Sequence, residues 1–355
     1  MKKIILTGGG TAGHVTPNLA LLPSLQKEEF EVRYVGSYNG IERRLIEETG
    51  IPYDGISSGK LRRYFDIKNF SDPLRVLKGY AEALKIIKKF KPDVVFSKGG
   101  FVAVPVVLAA RHHKIPVIIH ESDMTPGLAN KICIPSAKKV CCNFPETLKY
   151  LPEDKAVLTG SPIREELLSG DRLAGLQYTH LSSSLPIILV IGGSLGSVTV
   201  NQAVRSILPE LLEHFQIIHI CGKGNLDESL IGKEGYVQYE YVDKPLRHLL
   251  AAADLVLSRA GANSICEILA LRKPNILIPL SAAASRGDQI LNANSFAKQG
   301  FSTVLEEEAL TGKSLLQAIT ETYKNRQAFI DKMAESQLNN AVSTIINLID
   351  ECINA

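Results

Sequence analysis

Three consecutive glycines, Gly8, Gly9 and Gly10, follow the run KIILT and precede Thr11, Ala12, Gly13 and His14, with Pro17 just beyond. A strand, a glycine turn and a helix start in that order bring backbone close to a ligand and aim N–H groups at an anion, so phosphate or diphosphate is the expected guest. His14 falls at the helix start, where the dipole disfavours its protonation and a neutral imidazole can act as a general base. The arrangement recurs at Gly192-Gly193-Ser194-Leu195-Gly196-Ser197 after IILVI. Two more strand ends carry reactive or backbone-exposing groups: Gly99-Gly100-Phe101-Val102 after DVVFSK, and His120-Glu121-Ser122-Asp123 after IPVII. The run SRAGANS at 258–264 opens a helix that carries Glu267. A carboxylate there can accept both hydroxyls of a ribose while the small residues admit a phosphate. After PNILIPL, Asp288, Gln289 and Asn292 place an acid and two amides where they can read sugar hydroxyls. An NAD enzyme is disfavoured, because the second strand, FEVRYVGS, ends in Gly36-Ser37 where an acid should meet the ribose.

These loops need strands to hold them, and the sequence supplies nine short β-branched runs: KIILTGG, FEVRYVGS, DVVFSKGG, IPVIIHES, KVCCNF, IILVIGG, QIIHICG, ADLVLSRAG and PNILIPL. Their alternation with helical periodicity predicts parallel sheets covered on both faces. The pattern at 3–25 restarts at 186–208, which implies two similar doubly wound domains with a boundary somewhere in 160–186. Leu338, Val342, Ile345, Ile346, Ile349 and Ile353 have helical spacing and need a surface to cover them.

A chain of 355 residues, 45% hydrophobic and 22% charged, is long enough for two cores and too apolar for disorder. Its longest uncharged apolar stretch, 101–110, is far short of the roughly 18–20 residues that span a bilayer. The start MKKIILTGGG lacks an export signal's apolar run, so the chain is expected to stay inside the cell. Six cysteines without CxxC pairs or metal-spaced histidines read as reduced core thiols, and no metal site is expected. Net charge is +3, yet residues 60–91 hold ten basic and three acidic side chains. That basic segment suits an anionic membrane surface or nucleic acid, although nucleic acid would leave two glycine-rich anion loops without a use.

Taken together, GGGTAGHVTP at 8–17, GGFV at 99–102, HES at 120–122 with Gly127 and Asn130, GSPIR at 160–164, GGSLGS at 192–197, SRAGANSICE at 258–267 and RGDQILNA at 286–293 resemble the MurG glycosyltransferases over essentially the whole chain. The resemblance implies an α/β fold of two Rossmann-like doubly wound parallel-sheet domains facing a cleft, the GT-B type. It implies residues 1–164 as an acceptor and membrane-docking domain joined by a C-terminal helix at 336–355, and 165–335 as the donor domain. The implied reaction is inverting, metal-independent transfer of N-acetylglucosamine from UDP-N-acetylglucosamine to the C4 hydroxyl of the muramoyl sugar of lipid I, giving lipid II. No cofactor is implied, and the enzyme would sit peripherally at the cytoplasmic face of the membrane. His14 or Glu121 would be the base. Arg164, Ser194, Leu195, Gly196, Val242, Ala262, Asn263, Ser264, Glu267, Asp288, Gln289 and Asn292 would meet the donor, as would Thr11 and Gly13. Gly9, Gly10, Gly99, Gly100, Phe101, Asp123 and Asn130 would surround the acceptor, with Thr11 also near it. Leu195, Phe101, Ser122, Asp123 and Asp288 depart from other forms of the family, each changing one side-chain hydrogen bond. A UDP-N-acetylglucosamine 2-epimerase or a glycolipid glycosyltransferase of the same fold is the alternative.

Overall fold

The protein is described by a computed structural model covering residues 1–59, 72–193, 196–282 and 287–354. It forms two compact units, Met1–Arg164 with Asn340–Ala355, and Glu165–Asn339. The first contains β1 (Lys3–Thr7), α1 (Thr16–Lys27), β2 (Glu31–Ser37), α2 (Ile41–Glu47), β3 (Tyr53–Ile56), α3 (Asp72–Phe90), β4 (Val94–Ser97), α4 (Ala103–His112), β5 (Val117–Glu121), α5 (Leu128–Cys133), β6 (Lys139–Cys142) and β7 (Ala156–Leu158). The second contains α6 (Glu165–Leu168), α7 (Arg172–Thr179), β8 (Ile187–Ile191), α8 (Val198–Ser206), α9 (Leu208–Leu212), β9 (Gln216–Ile220), β10 (Tyr236–Tyr239), α10 (Leu246–Ala252), β11 (Leu255–Ser258), α11 (Ala262–Ala270), β12 (Asn275–Leu277), α12 (Asp288–Lys298), β13 (Thr303–Val304), α13 (Gly312–Lys324) and α14 (Arg326–Ala334). The last helix, α15 (Ala341–Asn354), belongs to the first unit.

Both sheets are parallel, with strand orders β3-β2-β1-β4-β5-β6-β7 and β10-β9-β8-β11-β12-β13. Each order reverses direction once, between β1 and β4 and between β8 and β11. At such a switch point the two following loops leave on opposite faces and open a crevice at the carboxyl ends of the strands. The glycine loops after β1 and β4 are therefore neighbours, as are the loops after β8 and β11.

Alternation along each strand builds the first core. Ile5, Val35 and Val95 face one way and pack with Ala83, Ile87 and Phe90 of α3 and the apolar side of α4. Ile4, Leu6, Tyr34, Val94 and Phe96 face the other way and pack with Leu21, Leu22 and Leu25 of α1. Helix α15 closes that second face with Ile345, Ile346, Leu348, Ile349 and Cys352 buried against it. The helical pattern expected from 336 is realised as a 3-10 turn over Gln337–Asn340 followed by α15. In the second unit, Ile188, Val190, Ile217, Leu255, Leu257 and Ile276 pack with α8, α9 and α13.

The apolar side of α3 divides along its length. Ala83, Ile87 and Phe90 are buried and Tyr80, Leu84 and Ile86 half-buried, while Leu74 and Leu77 near its start are 69% and 63% exposed beside exposed Arg75 and Lys78. The helix is tied to the sheet through Glu82, which accepts from Ser57 N at 2.6 Å and Tyr38 OH at 3.0 Å. Arg62, Arg63 and Lys68 of the basic segment lie outside the described residues, as do Phe65, Ile67 and Phe70, the apolar side chains expected to contact lipid. No helix among the described residues is long and apolar enough to cross a membrane.

Candidate active site

In the first unit the loop after β1 is held from beneath by buried polar side chains. Tyr34 OH donates to Gly8 O at 2.9 Å, and Asn18 Nδ2 reaches Thr7 O at 3.2 Å and Tyr34 OH at 3.1 Å. Burial raises the Tyr34 phenol well above its ordinary value, which keeps it a neutral donor. The third support is Glu42 at the start of α2, which is wholly buried and accepts from Gly10 N at 3.1 Å, Ser37 N at 3.0 Å and Ser37 Oγ. The expectation that this loop offers its N–H groups to an anion is therefore corrected at Gly10, whose N–H is taken by a carboxylate.

His14 lies in a 3-10 turn, Ala12–His14, just before α1 and is half-buried. Its Nδ1 bonds Gly9 O at 3.1 Å and lies 3.2 Å from exposed Thr11 Oγ1. Burial and the nearby Lys98 ammonium lower its pKa from 6.5 to about 4, against the smaller opposing pulls of Gly9 O and Glu42. The imidazole is thus neutral at pH 7. Lys98, just after β4 and 1% exposed, donates from Nζ to Ser122 Oγ. Beside it, His120 Nε2 donates to Gly160 O at 2.8 Å, and burial first and Lys98 second hold this imidazole well below its ordinary pKa.

Gly99 and Gly100 have φ of +89° and +82°. A Cβ at Gly100 would overlap the Gly9 carbonyl oxygen, and one at Gly99 would lie 2.9 Å from Asn130 Oδ1. The two glycine loops thus meet backbone to backbone. Phe101 is half-buried against the core rather than wholly presented to solvent. Glu121, named with His14 as a candidate base, has both oxygens engaged: Oε1 accepts from Asp123 N at 2.9 Å, and Oε2 accepts from Gly127 N at 3.0 Å and Asn130 Nδ2 at 2.8 Å. With three donors on its two oxygens, Glu121 ties Asp123, Gly127 and Asn130 together and shapes the 121–130 loop. Asp123 is half-buried in that loop.

In the second unit Gly193 and Gly196 have φ of +89° and +77°, and a Cβ at Gly196 would overlap the carbonyl of Cys221. Ser197 caps α8, its Oγ accepting from Val200 N at 3.3 Å. Ser194 and Leu195 lie outside the described residues. Helix α11 begins after Gly261 with no side-chain cap, and Ala262, Asn263 and Ser264 form its first turn. Asn263 and Ser264 stand one turn before Glu267 on the same side of the helix, and all three are half-buried while Ala262 is buried.

Three expected sugar or base contacts are used inside the protein. Asn292 is 1% exposed and donates from Nδ2 to Ala260 O at 3.2 Å. Gln289 Oε1 accepts from Leu280 N at 3.0 Å. Val242 is buried, at 6% exposure. Asp288, the first residue of α12, is half-buried. Arg164 is half-buried in the first unit and its Nε finds no partner among the described residues. Among the described residues no group of three or more His, Cys, Asp or Glu side chains could hold a metal ion.

Sequence reading did not single out Glu42, Lys98 or Arg259. Glu42 reads as an ordinary acid in a helix's first turn, Lys98 as a basic residue at a strand end, and Arg259 as a spacer inside SRAGANS. Only their burial reveals them, since a charge kept from water must be paired or hydrogen-bonded.

The glycosyltransferase family 28 N-terminal domain matches residues 4–142, and the family's C-terminal domain matches 187–349. A UDP-N-acetylglucosamine--N-acetylmuramyl-(pentapeptide) pyrophosphoryl-undecaprenol N-acetylglucosamine transferase of Lachnoclostridium phytofermentans is 65% identical over 351 residues, covering 99% of both chains. The like-named protein of Lachnospira eligens is 64% identical, again over 99% of each chain. The crystal structure of Acinetobacter baumannii MurG superposes with a TM-score of 0.77 at 28% identity, covering 99% of this chain and 100% of that one. A UDP-GlcNAc 2-epimerase from Neisseria meningitidis, bound to UDP-GlcNAc, shares the fold at a TM-score of 0.70 and 14% identity, covering 99% and 100%. With both domain models matched in order on two doubly wound units, the chain belongs to glycosyltransferase family 28 and is a glycosyltransferase.

Proposed function

We propose that the protein transfers N-acetylglucosamine from UDP-N-acetylglucosamine to the C4 hydroxyl of the muramoyl sugar of lipid I, forming lipid II for peptidoglycan. The observation that carries this reading is identity of 65% along nearly the whole chain to a transferase named for that donor and acceptor. On it, UDP binds the second unit, with its diphosphate at the starts of α8 and α11 and its ribose on Glu267. The acceptor binds the first unit around the glycine loops that follow β1 and β4.

His14 is the base. Its Nδ1 faces a carbonyl, so the ring proton is there and Nε2 carries the lone pair. In one displacement, Nε2 takes the proton of the C4 hydroxyl, the oxygen bonds to C1 of the donor sugar, and the bond from C1 to the diphosphate oxygen breaks with its electron pair leaving on UDP. Attack from the face opposite UDP inverts C1. The charge developing on UDP is met by helix N-termini and arginine, so the chemistry requires no metal.

A lipid-linked acceptor also calls for a membrane surface. Leu74 and Leu77, exposed beside Arg75 and Lys78 on α3, continue the basic segment that begins at 60 and form the docking face toward an anionic cytoplasmic leaflet. Each basic residue there contributes about 1 kcal/mol.

The test is UDP release by purified protein with and without a polyprenyl-diphosphate muramoyl acceptor, followed by the anomeric configuration of the product and the effect of a chelator. Acceptor-dependent release, an inverted product and unchanged turnover in chelator are expected. Release without acceptor, accompanied by a free 2-epimerised sugar, would replace the reading with the epimerase one.

A further inference from the structure

One peptide unit is held at both of its polar ends. The N–H of Gly10 donates to Glu42 Oε2 at 3.1 Å, and the carbonyl of the same unit, on Gly9, accepts from His14 Nδ1 at 3.1 Å. Hydrogen bonds at the two ends of an amide polarise one another, so a carboxylate at the N–H makes the carbonyl a stronger acceptor. We propose that Glu42 is the positioning carboxylate of His14, acting through the Gly9–Gly10 peptide to keep the ring proton on Nδ1 and the lone pair on Nε2. The inference rests on the reading of His14 as the base and adds to it the group that orients it.

Packing around both ends supports this role. Glu42 cannot turn away, because its other oxygen accepts from both the N–H and the hydroxyl of Ser37 and the residue is 0% exposed. Gly9, Gly36 and Gly40 surround the side chain so closely that a Cβ at any of them would overlap it. At the carbonyl end, Gly100 is the residue whose missing Cβ leaves room for the Gly9 oxygen. The glycines at 9, 36, 40 and 100 thus serve one physical end, which is to let a buried carboxylate, a peptide and an imidazole line up.

An interposed peptide also suits a base that must stay neutral. A carboxylate in direct contact with an imidazole strongly favours the protonated ring. Here Glu42 on α2 raises the His14 pKa only weakly, while burial and Lys98 at the end of β4 lower it, and the result is about 4. Orientation is supplied without protonating the ring.

The experiment is ring-nitrogen NMR of the full-length protein with 15N-labelled histidine, the His14 signals being assigned by their loss in His14→Gln. In the wild type His14 is expected as the single Nδ1–H tautomer. In Glu42→Gln the proton should spread over both nitrogens, kcat should fall about 10- to 100-fold, and UDP affinity should not change. A folded Glu42→Gln with the wild-type tautomer overturns the inference. Should that variant not fold, Glu42→Asp decides, because it keeps the charge and the Gly9 carbonyl but draws the carboxylate back from the Gly10 N–H. A mixed tautomer there supports the relay, and an unchanged Nδ1–H tautomer overturns it. Full activity in His14→Ala would instead remove the base assignment, while the tautomer shift in Glu42→Gln would still report the link between the two residues.

Discussion

Arg259 Nη2 donates to Ser197 Oγ at 2.7 Å, joining the residue after β11 to the cap of α8. The same guanidinium pairs with Glu307 and donates from Nη1 to Ile278 O and Pro279 O, both at 3.2 Å. Glu307 in turn accepts from Ser281 N at 3.1 Å. One planar fork therefore fixes the ends of three neighbouring strands where the second unit has its glycine loop. Arg259→Met takes the cation from the largely covered Glu307 carboxylate and is expected to lose about 3–5 kcal/mol in urea unfolding. Lysine should not restore it, since a point charge cannot serve four acceptors in one plane. A loss under about 1 kcal/mol would contradict this account.

Glu267→Ala is expected to weaken UDP binding by about 1.5–3 kcal/mol, because a ribose loses a charged acceptor. Far-UV circular dichroism should stay the same. Calorimetric titration with UDP giving wild-type affinity would remove Glu267 from the nucleotide site.

His14→Ala should lower kcat by about 10²- to 10⁴-fold with UDP affinity intact, since the nucleotide is assigned to the other unit. As a base, His14 works when neutral. With its pKa at about 4, the acidic limb of the rate profile belongs near that pH rather than near 6.5. An acidic limb at pH 6 to 7 that persists in His14→Ala would point to a different group.

Stability should follow pH through buried neutral histidines. His219, on β9, bonds Tyr236 OH at 2.9 Å and Asn201 Oδ1 at 3.0 Å, and burial first and Arg205 second lower its pKa to about 3. The folded pKa lies below the unfolded one, so the unfolded chain binds the extra proton as pH falls below about 6.5. Full stability is present above that pH and declines toward pH 3, by an amount on the order of a few kcal/mol. His219→Gln should flatten the acid side of a plot of urea midpoint against pH. An equal slope in wild type and variant would assign the acid sensitivity elsewhere.

Vesicle co-sedimentation tests the proposed docking of the start of α3 on lipid. Binding should rise with anionic lipid, fall with salt over a screening length of about 10 Å at 0.1 M, and weaken when Arg75 and Lys78 become Gln. Changing Leu74 and Leu77 to Ser should weaken binding at high salt as well. Indifference to lipid charge and to all four changes would leave the start of α3 a solvated surface.

Nine strands and both glycine loops are legible in the sequence because a parallel strand buried on both faces must be a continuous β-branched run, and a tight turn into a helix must be glycine. The four strands without such a run, β3, β7, β10 and β13, are the edges of the two sheets and only two to four residues long. With a neighbour on one side only, they carry half-buried side chains and no apolar signature. The stripe of α15 likewise declares a helix but not the surface that covers it. That surface, α1 and the β1 side of the first sheet, is set by a chain end more than 300 residues away in sequence, and only tertiary packing joins them. The same holds among the candidate site residues of each unit. His14 and the glycines are visible because their chemistry is written in their types and spacing. Glu42, Lys98 and Arg259 are not, because an acid or base in sequence defaults to solvent, and the fold alone removes the water that makes each charge depend on its partners.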